Sequence, residues 1–216
     1  MTRTTRILGA LIALFALLAL SFNPRRIHAL EDANPAPSDK ITVPDAAAQR
    51  NSRKQINEAF GNDIAKAKKP LEKAAIAKRL LEAGMEVKND LAGKYLMLSM
   101  ARDLAVAGGD ADTALSAITE LEPYAIDALK LKADALTTIS KSTNSSDDAM
   151  AIAANAGTLV DEALGADRFA IAKQLAELAI ATAKAAQDDN ALAEARARSE
   201  EIREVEAASG PAVGWP

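Results

Sequence analysis

Apolar residues recur along this 216-residue chain at spacings of three and four, the pattern of helices that bury one face. Residues 90–121 hold the densest apolar run and predict an antiparallel helix pair. Gly108 and Gly109 end its first helix, because glycine adopts the left-handed C-terminal conformation without a Cβ clash. Asp110 offers a carboxylate to the free amides of the next helix, which stops at Pro123. We expect this pair at the middle of a stack, because it cannot bury its apolar faces alone.

Weaker copies of the pattern flank this central pair. N-terminal to it we expect a helix over about residues 45–60, interrupted at Gly61 and Asn62, with a short helical continuation over residues 63–68. A second helix is expected over about residues 70–88, and its inner face would hold Leu71, Ala74, Ala77, Leu80 or Leu81, and Gly84 or Met85. C-terminal to it the predicted helices cover about residues 126–141, 147–164, 167–186 and 191–207. The predicted helix caps are Asp45, Asp110, the polar loop 142–146, Asp167 and Asp188.

The predicted helices group into four pairs, which begin near Asp45, Asp90, Asp127 and Asp167 at a spacing of roughly 36 to 46 residues, within the range of two-helix repeats. Alanine fills about 50 positions and aromatic residues only 3 % of the chain. Small side chains let helices pack closely, and residues that favour strands are sparse. We predict an all-α fold: a right-handed stack of about four antiparallel helix pairs, a tetratricopeptide-like α-solenoid.

The N-terminal residues 1–29 are typical of a signal peptide. Arg3 and Arg6 precede an apolar run of 16 residues, 7–22, which is shorter than the roughly 20 that a spanning helix needs. Ala29 offers a cleavage position, so we expect an exported, periplasmic or extracellular protein. The alternative is an inner-membrane anchor formed by residues 7–22. We interpret residues 30–43 as a flexible leader, 44–207 as the helical domain and 208–216 as a loose tail.

Charge is distributed unevenly along the chain. Without residues 1–29 the chain has 22 basic and 30 acidic residues. Residues 45–102 carry a net charge of +5, whereas residues 103–216 carry −11. Such an acidic total argues against nucleic acid as the partner.

The sequence offers few side chains for catalysis. It has no cysteine, and its one histidine is His28, beside the signal segment. This composition argues against histidine-dependent nucleophile systems and the common zinc sites. Asp110 and Asp112 lack the glycine and the closing glutamate of a calcium loop, so we interpret them as helix-start residues. We therefore expect no catalytic residue, metal or cofactor, and no enzymatic activity.

A basic cluster surrounds the predicted turn between the first two helices. One interpretation is a solvated face that aids solubility. The other is a site for an anionic partner: an envelope polymer, a phospholipid surface or the acidic half of another copy. The cluster consists of Lys66, Lys68, Lys69, Lys73, Lys78 and Arg79.

Five segments, residues 43–49, 60–70, 95–105, 109–118 and 127–136, resemble a family of exported planctomycete helical-repeat proteins of unknown function. The resemblance covers about residues 41–206. It implies an N-terminal accessory region of longer secreted proteins, which continue into modules such as lectin-like jelly rolls or formylglycine-enzyme-like domains. This chain ends at Pro216, and both a complete short member and a truncated longer one fit the resemblance.

The sequence thus predicts an exported, non-catalytic helical-repeat scaffold or protein-binding module, whose partner is another protein or an envelope component. Two alternatives stay open. One is an accessory domain of a secreted enzyme whose catalytic module lies elsewhere. The other is an amphipathic protein that binds a membrane surface.

Overall fold

In a computed structural model, residues 40–210 form a stack of eight α-helices, which confirms the predicted all-α stack. The predicted signal segment 1–29, leader residues 30–39 and tail residues 211–216 lie outside the described residues. The helices are α1 (Ala46–Lys66), α2 (Pro70–Glu86), α3 (Leu91–Gly108), α4 (Ala111–Leu121), α5 (Ala128–Ser140), α6 (Ser146–Gly165), α7 (Phe169–Ala186) and α8 (Asp189–Ala208).

The helices form two layers. Contacts of α1 with α3, α3 with α5, and α5 with α7 define an odd-numbered layer. Contacts of α2 with α4, and of α6 with α8, define an even-numbered layer, in which α4 and α6 scarcely touch. The most extensive contacts join α2 to α3 and α6 to α7, across the boundaries of the four predicted pairs. The first helix, α1, packs mainly on α3 rather than on α2.

The buried apolar side chains form three clusters. The first extends from α2 to α8, the second lies between α1, α2, α3 and α4, and the third consists of Leu98, Leu121 and Tyr124. The central pair, α3 and α4, contributes to all three. From α3, Ala105 belongs to the first cluster, Leu96 and Ala101 belong to the second, and Leu98 belongs to the third. From α4, Ala111 and Ala114 belong to the first cluster, Ala117 belongs to the second, and Leu121 belongs to the third. The pair therefore lies where the three parts of the core meet.

The turn from α3 to α4 is as short as the sequence predicts. Gly109 has a φ of 76°, and the Asp110 amide donates to the carbonyl of Ala105 at 2.9 Å. Asp110 also caps α4, because its Oδ1 accepts from the Thr113 amide at 3.1 Å. The turn from α7 to α8 repeats this geometry: Gln187 has a φ of 58°, and Asp188 caps α8. The predicted caps at Asp45 and in the loop 142–146, at Ser145, are also confirmed.

The predicted cap at Asp167 is wrong. Asp167 follows Ala166, the C-cap of α6, and its φ of 54° is the left-handed conformation that Gly109 adopts after α3. The N-cap of α7 is the next residue, Arg168, whose side chain makes no capping hydrogen bond. Its guanidinium instead donates to Asp127 Oδ2 at 2.7 Å, so it links the start of α7 to the start of α5.

Packing overrides the predicted break in the first helix. The helix α1 runs without interruption through Gly61. Ile56, Phe60 and Ile64, on either side of this glycine, all contact the second core cluster. A glycine inside a helix costs only about 1 kcal/mol, which this burial offsets.

Of the residues predicted on the inner face of the second helix, Leu71 is exposed, and of the alternatives Gly84 and Met85 the buried one is Gly84. Leu71 is 84 % exposed and Met85 is 52 % exposed. The apolar spacing of α2 is satisfied without them, because Ile76, Ala77 and Leu80 form its buried stripe.

The last residues of the predicted leader are bound to the helical domain. The Ile41 amide donates to the Pro123 carbonyl, and the Ile41 carbonyl accepts from the Ala125 amide, both at 2.8 Å. Ile41 and Val43 also pack against the third cluster, which contains the buried side chain of Tyr124. The ordered domain therefore includes residues 40–43.

Asp90 joins α1 to α3. Its Oδ1 accepts from the Gly93 amide, and its Oδ2 accepts from the buried Ser52 hydroxyl of α1, both at 2.8 Å. The hydrogen bonds from the Gly93 amide and the Ser52 hydroxyl lower the pKa of Asp90, against the opposing effect of burial.

We predict that Gly108→Ala destabilises the fold and Gly157→Ala does not. A Cβ at position 108 would lie 2.7 Å from the Ala74 amide nitrogen and 2.9 Å from the Pro70 carbonyl oxygen, so two backbones would have to separate. We expect a loss of about 1–3 kcal/mol. A Cβ at position 157 meets nothing within 4 Å. There alanine should raise the free energy of unfolding by roughly 0.5–1 kcal/mol. Urea unfolding of both variants tests this, and a Gly108→Ala protein as stable as the parent would refute the close approach.

We also predict that Ser52→Ala lowers the free energy of unfolding by an amount that depends on pH. At pH 7 it should lower the free energy of unfolding by about 1–2 kcal/mol, since a hydrogen bond to a carboxylate is lost. Because the Asp90 pKa is lowered by folding, this stabilisation is complete above its ordinary value of about 4 and is lost as the pH falls through the lowered pKa. The difference from the parent should therefore shrink below about pH 4. Ser116→Ala, at an exposed position on α4, is the control and should show no such trend.

Candidate functional site

Two grooves flank α6 on the face of the even-numbered layer. We name the one between α2, the α3–α4 turn and α6 the proximal groove, and the one between α6 and α8 the distal groove. The proximal groove encloses about 290 Å³ and is lined by Leu71, Ala74, Lys78, residues 108–112, Asp148, Ala151 and Ile152. The distal groove encloses about 300 Å³ and is lined by Met150, Ala153, Ala154, Gly157, Thr158, Asp161, Ala179, Asp188, Ala191, Glu194, Ala195 and Arg198.

The proximal groove exists because α4 and α6 make few direct contacts. One hydrogen bond spans this gap, from Asn155 Nδ2 on α6 to Asp112 Oδ1 on α4, and it is long at 3.4 Å. Ala74, Ala111 and Ile152 give the groove an apolar lining. Leu71 stands exposed at its rim on the α2 side.

The polar rim of the proximal groove is acidic. The carboxylate of Asp110 already has two partners, because it caps α4 and lies 3.4 Å from the ammonium group of Lys78. Asp112 and Asp148 have no basic side chain within 4 Å among residues 40–210. The rim therefore holds two carboxylates without a cation to neutralise them.

Small residues shape the distal groove. The α6 wall presents Ala153, Ala154 and Gly157, so α6 and α8 leave a channel between them. Met150, 44 % exposed, lies at the N-terminal end of that wall. Towards its C-terminal end, the Arg198 guanidinium on α8 forms an ion pair with Asp161 on α6.

A buried cation lies near the opposite edge of the stack. Lys132 of α5 is 7 % exposed, and its Nζ is 2.7 Å from Glu122 and 3.2 Å from Glu162. Burial opposes its charge, but hydrogen bonds to the two carboxylates outweigh this effect and raise the pKa of Lys132. The lysine therefore remains charged at neutral pH and joins the end of α4 to α6.

The structure divides the basic cluster that the sequence predicts. Lys66 and Arg79 line one shallow hollow beside α1, where Arg79 pairs with Asp63 at 2.7 Å. Lys78 points away from them to Asp110 in the proximal groove. The other members are Lys68 and Lys69 in the α1–α2 loop and Lys73 in the first turn of α2.

The backbone of the same loop forms hydrogen bonds with the carboxylate of Glu72. The amides of Lys68 and Lys69 donate to Glu72 Oε2 at 2.9 and 3.0 Å. These hydrogen bonds, the one from Lys69 above all, lower the pKa of Glu72. An anionic partner of the basic cluster remains a prediction.

Asp110 and Asp112, which we interpret from the sequence as helix-start residues, lie at the start of α4, and other acidic residues have similar positions. Asp110 and Asp188 are caps, while Asp112, Asp147, Asp148 and Asp189 lie in first turns. Within residues 40–210, no group of three or more histidine, cysteine, aspartate or glutamate side chains is arranged to hold a metal ion. In the same part of the chain, no helix combines the length and apolarity needed to cross a membrane.

Comparison with known proteins returned no match to a family model, to a curated protein or to a solved structure. The resemblance to exported planctomycete helical-repeat proteins therefore stays a prediction.

The candidate site rests on the two grooves alone. Sequence reasoning missed both, and the one signal that could have indicated them is the run of small residues on the outer faces of α6.

Proposed function

We propose that the chain is an exported, non-catalytic helical-repeat module that binds another protein through the even-numbered layer. The observation that carries the proposal is the pair of grooves beside α6. Each joins an apolar or small-residue lining to one exposed apolar side chain, Leu71 in the proximal groove and Met150 in the distal one. Stacks of helical repeats bind extended partners along one face. Exposed apolar side chains at a groove are the contacts that protein interfaces bury.

Export belongs to the proposal because of the N-terminal segment. Its support is the apolar run of residues 7–22 behind Arg3 and Arg6, with Ala29 as the cleavage position. The partner would then be a protein or another component of the cell envelope or its surroundings.

Filling the grooves tests the proposal. Ala151 and Gly157 lie on the two flanks of α6, and leucine at both positions places apolar bulk in both grooves. The space at Gly157 is open, so we expect the doubly substituted protein to fold. The matched control is Ala170→Leu with Ala181→Leu, which adds similar bulk at exposed positions of α7 outside the grooves.

Immobilised parent, groove and control proteins are each incubated with envelope extract, and retained proteins are quantified by mass spectrometry. We expect at least one protein to be retained by the parent and the control but lost from the groove variant. Circular dichroism melts confirm that all three are folded. Retention that is the same for the groove variant and the parent would contradict binding through this face.

A further inference from the structure

We propose that the proximal groove receives a lysine or arginine side chain from a basic peptide segment of the partner, an inference that rests on the function proposed above. The groove has two chemically different parts. Alanine and leucine side chains line one part, and the carboxylates of Asp112 and Asp148 form the other. A ligand that matches both must be apolar along its length and cationic at its end.

Lysine and arginine side chains have this construction. Their methylene stems pack on apolar surface while the charged end stays at a polar rim. In the proximal groove the stem would lie along Ala111, Ala151 and Leu71, and the charge would meet Asp112 and Asp148. The volume of about 290 Å³ is at the lower limit of small-molecule sites, which suits one or two side chains better than a large cofactor.

The charges near the groove favour a cation. Lys78 is the basic residue in the lining, and it lies 3.4 Å from Asp110. Asp112 and Asp148 thus keep their attraction for an incoming positive group. A helix start carries a partial positive charge that would weaken this attraction. Asp112 and Asp148 lie in the first turns of α4 and α6, so this partial charge offsets part of the attraction of their two full negative charges.

The surrounding chain strengthens the same preference. Residues 103–216, which include α4 and α6, carry a net charge of −11. A field of one sign attracts oppositely charged partners and disfavours acidic ones. Charge complementarity therefore favours a basic segment over a neutral or acidic one.

Three labelled peptides of equal length test the inference: alternating lysine and leucine, alternating glutamine and leucine, and alternating glutamate and leucine. Fluorescence anisotropy gives their affinities for the purified protein at low and at physiological salt. We expect the lysine peptide to bind best and the glutamate peptide not to bind. Physiological salt should weaken binding of the lysine peptide, because the attraction is partly screened.

Asp112→Asn with Asp148→Asn should lower the affinity for the lysine peptide by about tenfold or more at low salt, because both unpaired carboxylates are lost. The matched control is Asp103→Asn with Glu177→Gln, which removes the same charge from exposed positions of α3 and α7 in the odd-numbered layer. The control should bind like the parent. An equal loss in both variants would show a general charge effect and overturn the inference.

The inference and the proposed function fail differently. The glutamine peptide could bind the parent as tightly as the lysine peptide and fail to bind the variant with leucine in place of Ala151 and Gly157. In that case the groove binds peptides without selecting a cation. That outcome overturns the inference and leaves the proposed function standing. If no peptide binds, the inference is also overturned, whereas retention from envelope extract tests the proposed function independently.

Discussion

Close packing around α3 is the constraint on which the rest of this structure depends. This helix contacts α1, α2, α4 and α5, and small residues make such crowding possible. Ala101 and Ala105 are fully buried, and at Gly108 the α3 backbone approaches that of α2 so closely that no Cβ fits. The position of α2 against α3 in turn places Leu71 and Lys78 at the rim of the proximal groove. The candidate site is therefore a consequence of how the core packs.

Local signals predicted most of the fold. A carboxylate or hydroxyl three residues before a free amide is a short-range pattern, so the caps at Asp110, Ser145 and Asp188 could be identified from the sequence. The same reasoning failed at Asp167, because the left-handed residue after α6 is an aspartate and not a glycine. Whether a helix survives an internal glycine depends on distant contacts. The continuity of α1 through Gly61 was therefore not predictable from spacing alone.

The candidate site could not be predicted because it is a tertiary feature. The basic cluster is compact in the sequence, yet successive residues of a helix point about 100° apart, and Lys78 and Arg79 face different neighbours. The proximal groove arises from the sparse contact between α4 and α6, which no single segment encodes. Leu71 has the spacing of a core residue, but the buried stripe of α2 begins only at Ile76. The grooves became visible only when the two layers were assembled.

Urea unfolding of Leu98→Ala and Leu192→Ala tests the central role of α3 most directly. Leu98 is fully buried in the third core cluster, whereas Leu192 is half-buried on the terminal helix α8. We predict that Leu98→Ala lowers the free energy of unfolding by about 2–5 kcal/mol, because the crowded surroundings cannot collapse into the cavity. Leu192→Ala should cost roughly 1–2 kcal/mol, since the end of a stack is packed on one side. A larger loss for Leu192→Ala would contradict the account.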